Sequence, residues 1–335
     1  MQKINQGLVI QIAAHERHLN WRKDMLDANT IEKPHGADVD APCTDCQNAG
    51  CSKVKAQSAE APFSYVEVDA NFDIERIADL IQFGHTEGHI LYVIRNALDP
   101  KVCATITESF HNLIASKGSK RGEDGFVKVE QIGSSQFHKD GESYIRSTLD
   151  QAQDVLDLFS CAGNDVLSDL FLDDSLEDFY RKRRITYRAS KHLTSTGNFA
   201  TTRRWLNNGQ MSLMPHEDTA QLMFAAQDGY EVHEGQNTIA VNHCFAQDEE
   251  GSELMVWNIK PDLAMRQGLG VETTGYPYPL DVLAPYESVS VKLNAGDMYF
   301  LNASYVHGVS NSKGNSRISS GRFLTKVGDK VVYWT

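Results

Sequence analysis

No stretch of the 335 residues approaches the roughly 20 uninterrupted apolar residues that a membrane-spanning helix requires. Met1 to Trp21 holds no charged segment leading into a long apolar run, so no secretory signal is expected. Cysteine is scarce: 6 residues are too few for a secreted disulfide scaffold of this size. Positive charge is in deficit, with 32 Lys and Arg against 45 Asp and Glu and a formal net charge of −13. Phosphate affinity comes from an excess of Lys and Arg, which argues against a nucleic-acid polymer as partner. Self-similarity at periods of about 20–50 residues is also missing, which sets solenoids and propellers aside. The expectation is a soluble, cytoplasmic enzyme of small molecules, with neither a membrane nor a nucleic-acid polymer as partner.

What is present is globular material. A 41% hydrophobic chain has enough apolar surface for one large core or two ordinary ones. Ile4 to Met25 has a short amphipathic pattern, whereas Ala28 to Ala61 is polar and rich in small residues, broken by Pro34, Pro42 and Pro62. Residues 1–62 therefore read as an N-terminal extension, and 63–335 as the catalytic domain, with a helical part (63–183) and a β part (184–335). In the helical part, Phe63 to Val68 alternates like a half-buried strand, and Ile90 to Ile94 is a short apolar run. Helical spacing follows Asp73, starts again at Asp99-Pro100 with Asp as cap and Pro in the first turn, and runs from Thr148 to Tyr180 with a break near Gly163. From Arg184 onward short strand-like runs dominate: Gln210 to Met214, Thr238 to Phe245, Glu253 to Trp257, Ser288 to Leu293, Met298 to Leu301, Arg317 to Val327 and Lys330 to Trp334. Helices followed by strands make an α+β domain, most simply a double-stranded β-helix (jelly-roll) core buttressed by N-terminal helices.

The informative tripeptide is His216-Glu217-Asp218, placed after a strand-like run. On an extended backbone residues i and i+2 face the same way, so His216 and Asp218 reach one metal ion together while Glu217 points away. A third ligand is expected from a later strand, and His307 follows the run Met298 to Leu301. Two imidazoles and a carboxylate on one side of an ion, with the opposite positions open, form the arrangement of non-haem Fe(II) oxygenases, where a co-substrate and O2 bind. The same donors also suit a zinc hydrolase or a metal-retaining binding protein. Arg317-Ile318-Ser319 on the next strand favours the oxygenase reading. A guanidinium fork holds a terminal carboxylate, and the Ser319 hydroxyl at i+2 adds a donor. An acid with a chelating 2-oxo end and a distal carboxylate is 2-oxoglutarate. Arg203 and Arg204 are further candidates for an anion, with Arg204 named for the co-substrate and a surface ion pair expected for at least one of them.

At these residues the sequence resembles the Fe(II)/2-oxoglutarate-dependent oxygenases, and within them the carrier-protein-independent group of aliphatic halogenases and amino-acid hydroxylases. The resemblance lies in Arg204-Trp205-Leu206-Asn207-Asn208-Gly209 leading to His216, then Gly251-Ser252-Glu253-Leu254-Met255-Val256-Trp257 and Gly296-Asp297-Met298-Tyr299-Phe300-Leu301-Asn302. It continues in His307-Gly308-Val309-Ser310, Gly314-Asn315-Ser316-Arg317, Gly321-Arg322-Phe323-Leu324 and the ending Val331-Val332-Tyr333-Trp334. It extends from about Arg184 to the C-terminus, more loosely over the helical part, and leaves out the first 60 residues or so. It implies Fe(II), 2-oxoglutarate and O2 as the reacting set, a small polar metabolite as substrate, no carrier protein, and succinate and CO2 as co-products. The halogenases of this group have Gly or Ala where this chain has Asp218, so the resemblance implies hydroxylation; halogenation or desaturation stays as the alternative, as does a non-catalytic sensor.

Cys43, Cys46 and Cys51, with His35 upstream, have the spacing of a structural Zn2+ site. Unrelated thiols or a redox-labile pair fit the same spacing. Glu217 is expected at the substrate or in solvent, Arg322 facing outward, Trp257 and Phe300 in the core, and His233 and His243 away from the metal. Gly229 to Gln236 and the helical region are the candidate lid elements.

Overall fold

The computed structural model describes residues 63–121, 127–163, 166–167, 170–207 and 209–335. The amphipathic run Ile4 to Met25 and the Cys43, Cys46, Cys51 and His35 cluster lie outside the described residues.

β1 (Tyr65–Asp69) and β2 (Leu91–Arg95) run parallel at one edge of a large sheet and are linked through α1 (Ile74–Phe83). α1 starts where Asp73 accepts from the Glu75 backbone N–H and stops at Gly84, whose φ of 77° is the left-handed cap that glycine adopts without a Cβ clash. α2 (Pro100–Lys117) begins with Asp99 as cap and Pro100 in the first turn, as expected. α3 (Gly141–Ser160) begins ahead of Thr148, because Asp140 accepts from the Ser143 N–H and so defines an earlier start. α4 (Asp173–Lys182) completes the helical layer.

Three strands inside the part expected to be mostly helical join the large sheet: β1, β2 and β3 (Val129–Ile132). β4 (Thr186–Ala189), the small hairpin β5 (Lys191–His192) and β6 (Ser195–Thr196), and β7 (Thr201–Trp205) follow. The chain then runs through β8 (Leu213–His216), β9 (Ile239–Ala246), β10 (Leu254–Trp257), β11 (Ser288–Val291), β12 (Met298–Asn302), β13 (His307–Val309), β14 (Ile318–Val327) and β15 (Lys330–Trp334). From β7 onward it crosses between two sheets. β7, β9, β12 and β14 lie in the large nine-stranded sheet, and β8, β10, β11 and β13 form the small four-stranded one in the order β11-β10-β13-β8. This is the double-stranded β-helix. Short helices also interrupt the β part: α5 (Leu222–Ala226), α6 (Leu263–Leu269) and α7 (Leu280–Leu283). Among the described residues no helix is long and apolar enough to cross a membrane.

Strand alternation divides the core. Leu91 and Val93 of β2, with Tyr299 and Leu301 of β12, pack against Leu254, Val256 and Val291 of the small sheet. Their neighbours Tyr92, Ile94, Met298 and Phe300 point the other way, onto Leu80, Phe110 and Phe159 of the helices. Trp257 and Phe300 are core residues, as expected. The segment Gly229 to Gln236 is no lid: Tyr230 and Val232 are fully buried beside Tyr144, Val332 and Trp334.

Arg322 corrects a second expectation. Its parity is outward from the barrel, but that face is covered by helices, and the residue is 2% exposed. It pairs with Asp173, donates to the Tyr187 hydroxyl at 2.6 Å, and lies 4.4 Å and 4.0 Å from the Phe171 and Tyr333 ring centroids. Removing one partner of a buried, hydrogen-bonded ion pair strands the other, so Arg322→Ala should lower stability by about 3 kcal/mol, read as a shift of the urea midpoint.

Candidate metal centre and co-substrate pocket

The barrel interior holds a cavity between the two sheets. Its lining includes His216, Asp218 and His307, and beyond them Arg203, Tyr299, Arg317 and Ser319. His216 ends β8, two residues beyond the end of the strand expected over Gln210 to Met214, and His307 opens β13 directly opposite in the register. Asp218 follows β8, with its backbone N–H donating to Ala303 O at 2.9 Å. One donor atom from each of the three side chains lies within 4.8 Å of the others. His307 Nε2 is 3.3 Å from Asp218 Oδ2, and His216 Nε2 is 3.9 Å from Asp218 Oδ1.

The surroundings direct the donors. His216 Nδ1 is 3.0 Å from Met214 O, and His307 Nδ1 is 2.9 Å from Tyr305 O. A carbonyl accepts only from N–H, so both Nδ1 atoms carry a proton and both Nε2 atoms face the shared space, where each can ligate a cation once deprotonated. Gln221 Nε2 donates to Asp218 Oδ1 at 3.1 Å and orients the carboxylate. Burial and the neighbouring His307 push the His216 pKa down to about 4, against the pull of Asp218, so its ring is neutral at neutral pH. Burial also acts on His307 and Asp218. It is outweighed by their mutual contact, which raises the His307 pKa and, with His216, lowers that of Asp218. A neutral imidazole, a second imidazole beside a carboxylate and a convergent geometry suit a divalent cation.

Glu217 points away from the metal space, but neither to substrate nor to solvent. It is 1% exposed, accepts from the Thr219 N–H at 2.6 Å, and pairs with Arg266 Nε of α6 at 3.1 Å. Gly275 presses on this loop at φ 60°, where a Cβ would come 2.3 Å from Glu217 O. His243 is buried on the helix side between Phe171 and Phe245, and His233 meets the Tyr230 carbonyl; neither reaches the triad.

Arg317 precedes β14 and is 2% exposed. One Nη donates to Ser252 O, while Nε is a buried donor with no partner among the described residues. Ser319 Oγ accepts from Trp205 Nε1 at 3.0 Å, which leaves the hydroxyl proton as a donor. An orphaned guanidinium N–H beside an aimed hydroxyl, in one cavity with the triad, fits an anionic ligand. Arg204 does not share it. It faces the outer side with Ile318 and pairs with Glu130 Oε2 at 2.6 Å. Arg203, opposite Ser319 in the register, is the one that lines the cavity. Tyr299, which the sequence reading does not name as a site residue, also lines the cavity and has the parity of the inner face of β12.

The sequence matches no family profile. It is 42% identical over 280 residues to L-isoleucine 3(1)-dioxygenase of Pantoea ananatis (strain AJ13355), covering 83% of this chain and 95% of the relative. The chain belongs to the Fe(II)/2-oxoglutarate-dependent oxygenases. Similar solved structures include the non-heme alpha ketoglutarate dependent epimerase SnoN from nogalamycin biosynthesis, with TM-score 0.43 and 14% identity over 76% of this chain and 85% of that one. An N-substituted L-amino acid dioxygenase from Burkholderia ambifaria AMMD gives TM-score 0.39 and 13% identity over 69% of this chain and 91% of that one. By its match to that relative, the chain is a dioxygenase of this family acting on a small molecule.

Proposed function

We propose that this oxygenase hydroxylates a C–H bond of a free aliphatic amino acid in the cytoplasm, without a carrier protein. In this reading His216, Asp218 and His307 hold Fe(II), and Arg317 with Ser319 holds the distal carboxylate of 2-oxoglutarate. The observation that carries it is the buried Arg317 Nε, without a hydrogen-bond partner among the described residues, in the same cavity as three convergent metal donors. The amino-acid class is supported by the relative's name and by its match over nearly its whole length.

When bound, iron and 2-oxoglutarate supply the oxidising chemistry, in which O2 converts the co-substrate to succinate and CO2 and places one oxygen atom on the substrate. The protein's part is orientation and exclusion of water. The Met214 and Tyr305 carbonyls hold the two rings, Gln221 holds Asp218, and Trp205 and Tyr299 wall the pocket.

A succinate-release screen over the proteinogenic amino acids, with mass detection of a product heavier by one oxygen, tests the function. Release with at least one branched aliphatic amino acid is expected, and no amino-acid-dependent release overturns the reading. Arg317→Ala removes a charge-assisted contact of about 1.5–3 kcal/mol. The KM for 2-oxoglutarate should therefore rise roughly tenfold or more while iron content stays near wild type. An unchanged KM would move the clamp off Arg317.

A further inference from the structure

Arg317 is aimed from outside the cavity. Its backbone leaves the turn between β13 and β14, and its O accepts from the Trp205 N–H at 3.0 Å. The guanidinium at the far end of the side chain docks on Ser252 O, which belongs to a different turn, the one between β9 and β10. Where the free Nε points therefore depends on how these two turns are held against each other.

One buried carboxylate ties them together. Asp248 is 6% exposed and does not line the cavity. Its Oδ1 accepts from the Ser316 N–H at 2.9 Å, one residue before Arg317. Its Oδ2 accepts from the Ser252 hydroxyl at 3.1 Å and from the Ser312 hydroxyl. Gly314 permits the approach, because a Cβ there would meet Oδ1 at 2.3 Å. Burial acts to raise the Asp248 pKa but is outweighed by the bonds from Ser312, Ser316 and Ser252, which lower it. Lys292 Nζ donates to Asp248 O at 2.7 Å and to Gly251 O, which braces the same turn from below.

The docking carbonyl is itself held under strain. Ser252 is fully buried with φ 56°, a left-handed conformation that costs a residue with a side chain. Such a conformation persists only where the surroundings over-determine it. Here the hydroxyl is taken by Asp248, the N–H by Asn311 O at 3.2 Å, and the carbonyl by Gln247 Nε2 at 2.9 Å and by Arg317.

We propose that Asp248 and Ser252 set the aim of Arg317 on the distal carboxylate of the co-substrate, and with it the length of 2-oxo acid that the centre accepts. This rests on the assignment of Arg317 to 2-oxoglutarate above. Both are positioning residues: neither lines the cavity, and each acts through the guanidinium.

The test measures calorimetric binding of 2-oxoglutarate, and of 2-oxoadipate with one methylene more, to the Fe(II)-loaded protein without O2. Iron content and the urea midpoint are read beside it. Ser252→Gly removes the hydroxyl yet adopts φ 56° without strain, so the midpoint and iron content should hold. The Kd for 2-oxoglutarate should nevertheless rise about threefold to tenfold, and its preference over 2-oxoadipate should shrink. Asp248→Ala should do the same. Asp248→Asn keeps an oxygen for the Ser316 N–H and offers an amide donor to the two hydroxyls, so it should recover most of the affinity. An unchanged Kd and preference in Ser252→Gly overturn the proposal, whether or not Asp248→Ala folds. Iron loss in step with the loss of 2-oxoglutarate overturns it too, as does an Asp248→Asn variant no better than Asp248→Ala, which would make charge and not aim the cause. Should Arg317→Ala leave 2-oxoglutarate binding intact, the underlying reading fails and the proposal with it. Weakened binding in Arg317→Ala with wild-type binding in Ser252→Gly removes only the two positioning residues.

Discussion

His307→Ala is expected to leave a folded protein that retains little iron and shows no measurable turnover, and His216→Ala to do the same. Three donors converge within 4.8 Å, and two remaining ones do not hold a divalent ion firmly. Loss of a residue that merely orients a ligand typically costs about 10–100-fold in metal affinity or activity, so loss of the ligand itself should exceed about 100-fold. Iron content after desalting, read beside succinate release, checks both halves of the expectation. A folded variant with wild-type iron content and turnover would remove that histidine from the centre. The two substitutions should also behave alike, because β8 and β13 present the two rings opposite one another, with centroids 4.2 Å apart and each Nδ1 tied to a carbonyl of its own chain segment.

The His216–Asp218 half of the triad is readable in the sequence because it follows from strand parity, and His307 from the expectation of a later strand folded beside it. His216 and Asp218 flank a residue that must point away, and the structure sends Glu217 to Arg266 as that rule requires. What surrounds Glu217 is not readable, since α6 is far along the chain and its partner is chosen by tertiary packing. Arg317 and Ser319 share a face for the same reason. The choice between Arg203 and Arg204 needs one more fact, namely that Thr201–Trp205 is a strand paired to β14. That strand has no apolar alternation, because its inner face lines a polar cavity and its outer face carries the Arg204–Glu130 pair. Periodicity is silent there, and β3 escapes for the same reason. Arg322 has the parity expected of it; only the packing of Phe171 and Asp173 onto that face turns an outward charge into a buried one. Gly229 to Gln236 has a surface composition, yet two of its side chains, Tyr230 and Val232, anchor it in the core.

Asp218→Gly is expected to lose most hydroxylation, and its products test the reaction type. In the proposed centre the carboxylate would fill the position that a halide takes in the halogenases the sequence resembles, so chloride or bromide in the buffer should leave the product hydroxylated. The structure gives Asp218 contacts that a glycine cannot replace: Gln221 loses its acceptor at 3.1 Å, and His307 Nε2 loses the carboxylate 3.3 Å away. Removing the side chain therefore takes away a donor and a negative charge together, and leaves room for an exogenous anion beside the two imidazoles. Iron affinity should fall in halide-free buffer and recover partly as chloride is added, which a calorimetric or metal-content titration reads independently of turnover. Halogenated product is expected only where the reacting substrate carbon lies nearer the anion than the oxygen that would be transferred, so its yield depends on where the substrate sits in the cavity. Chlorinated product from the wild type in chloride buffer would overturn hydroxylation as the native outcome and would take Asp218 out of the coordination sphere.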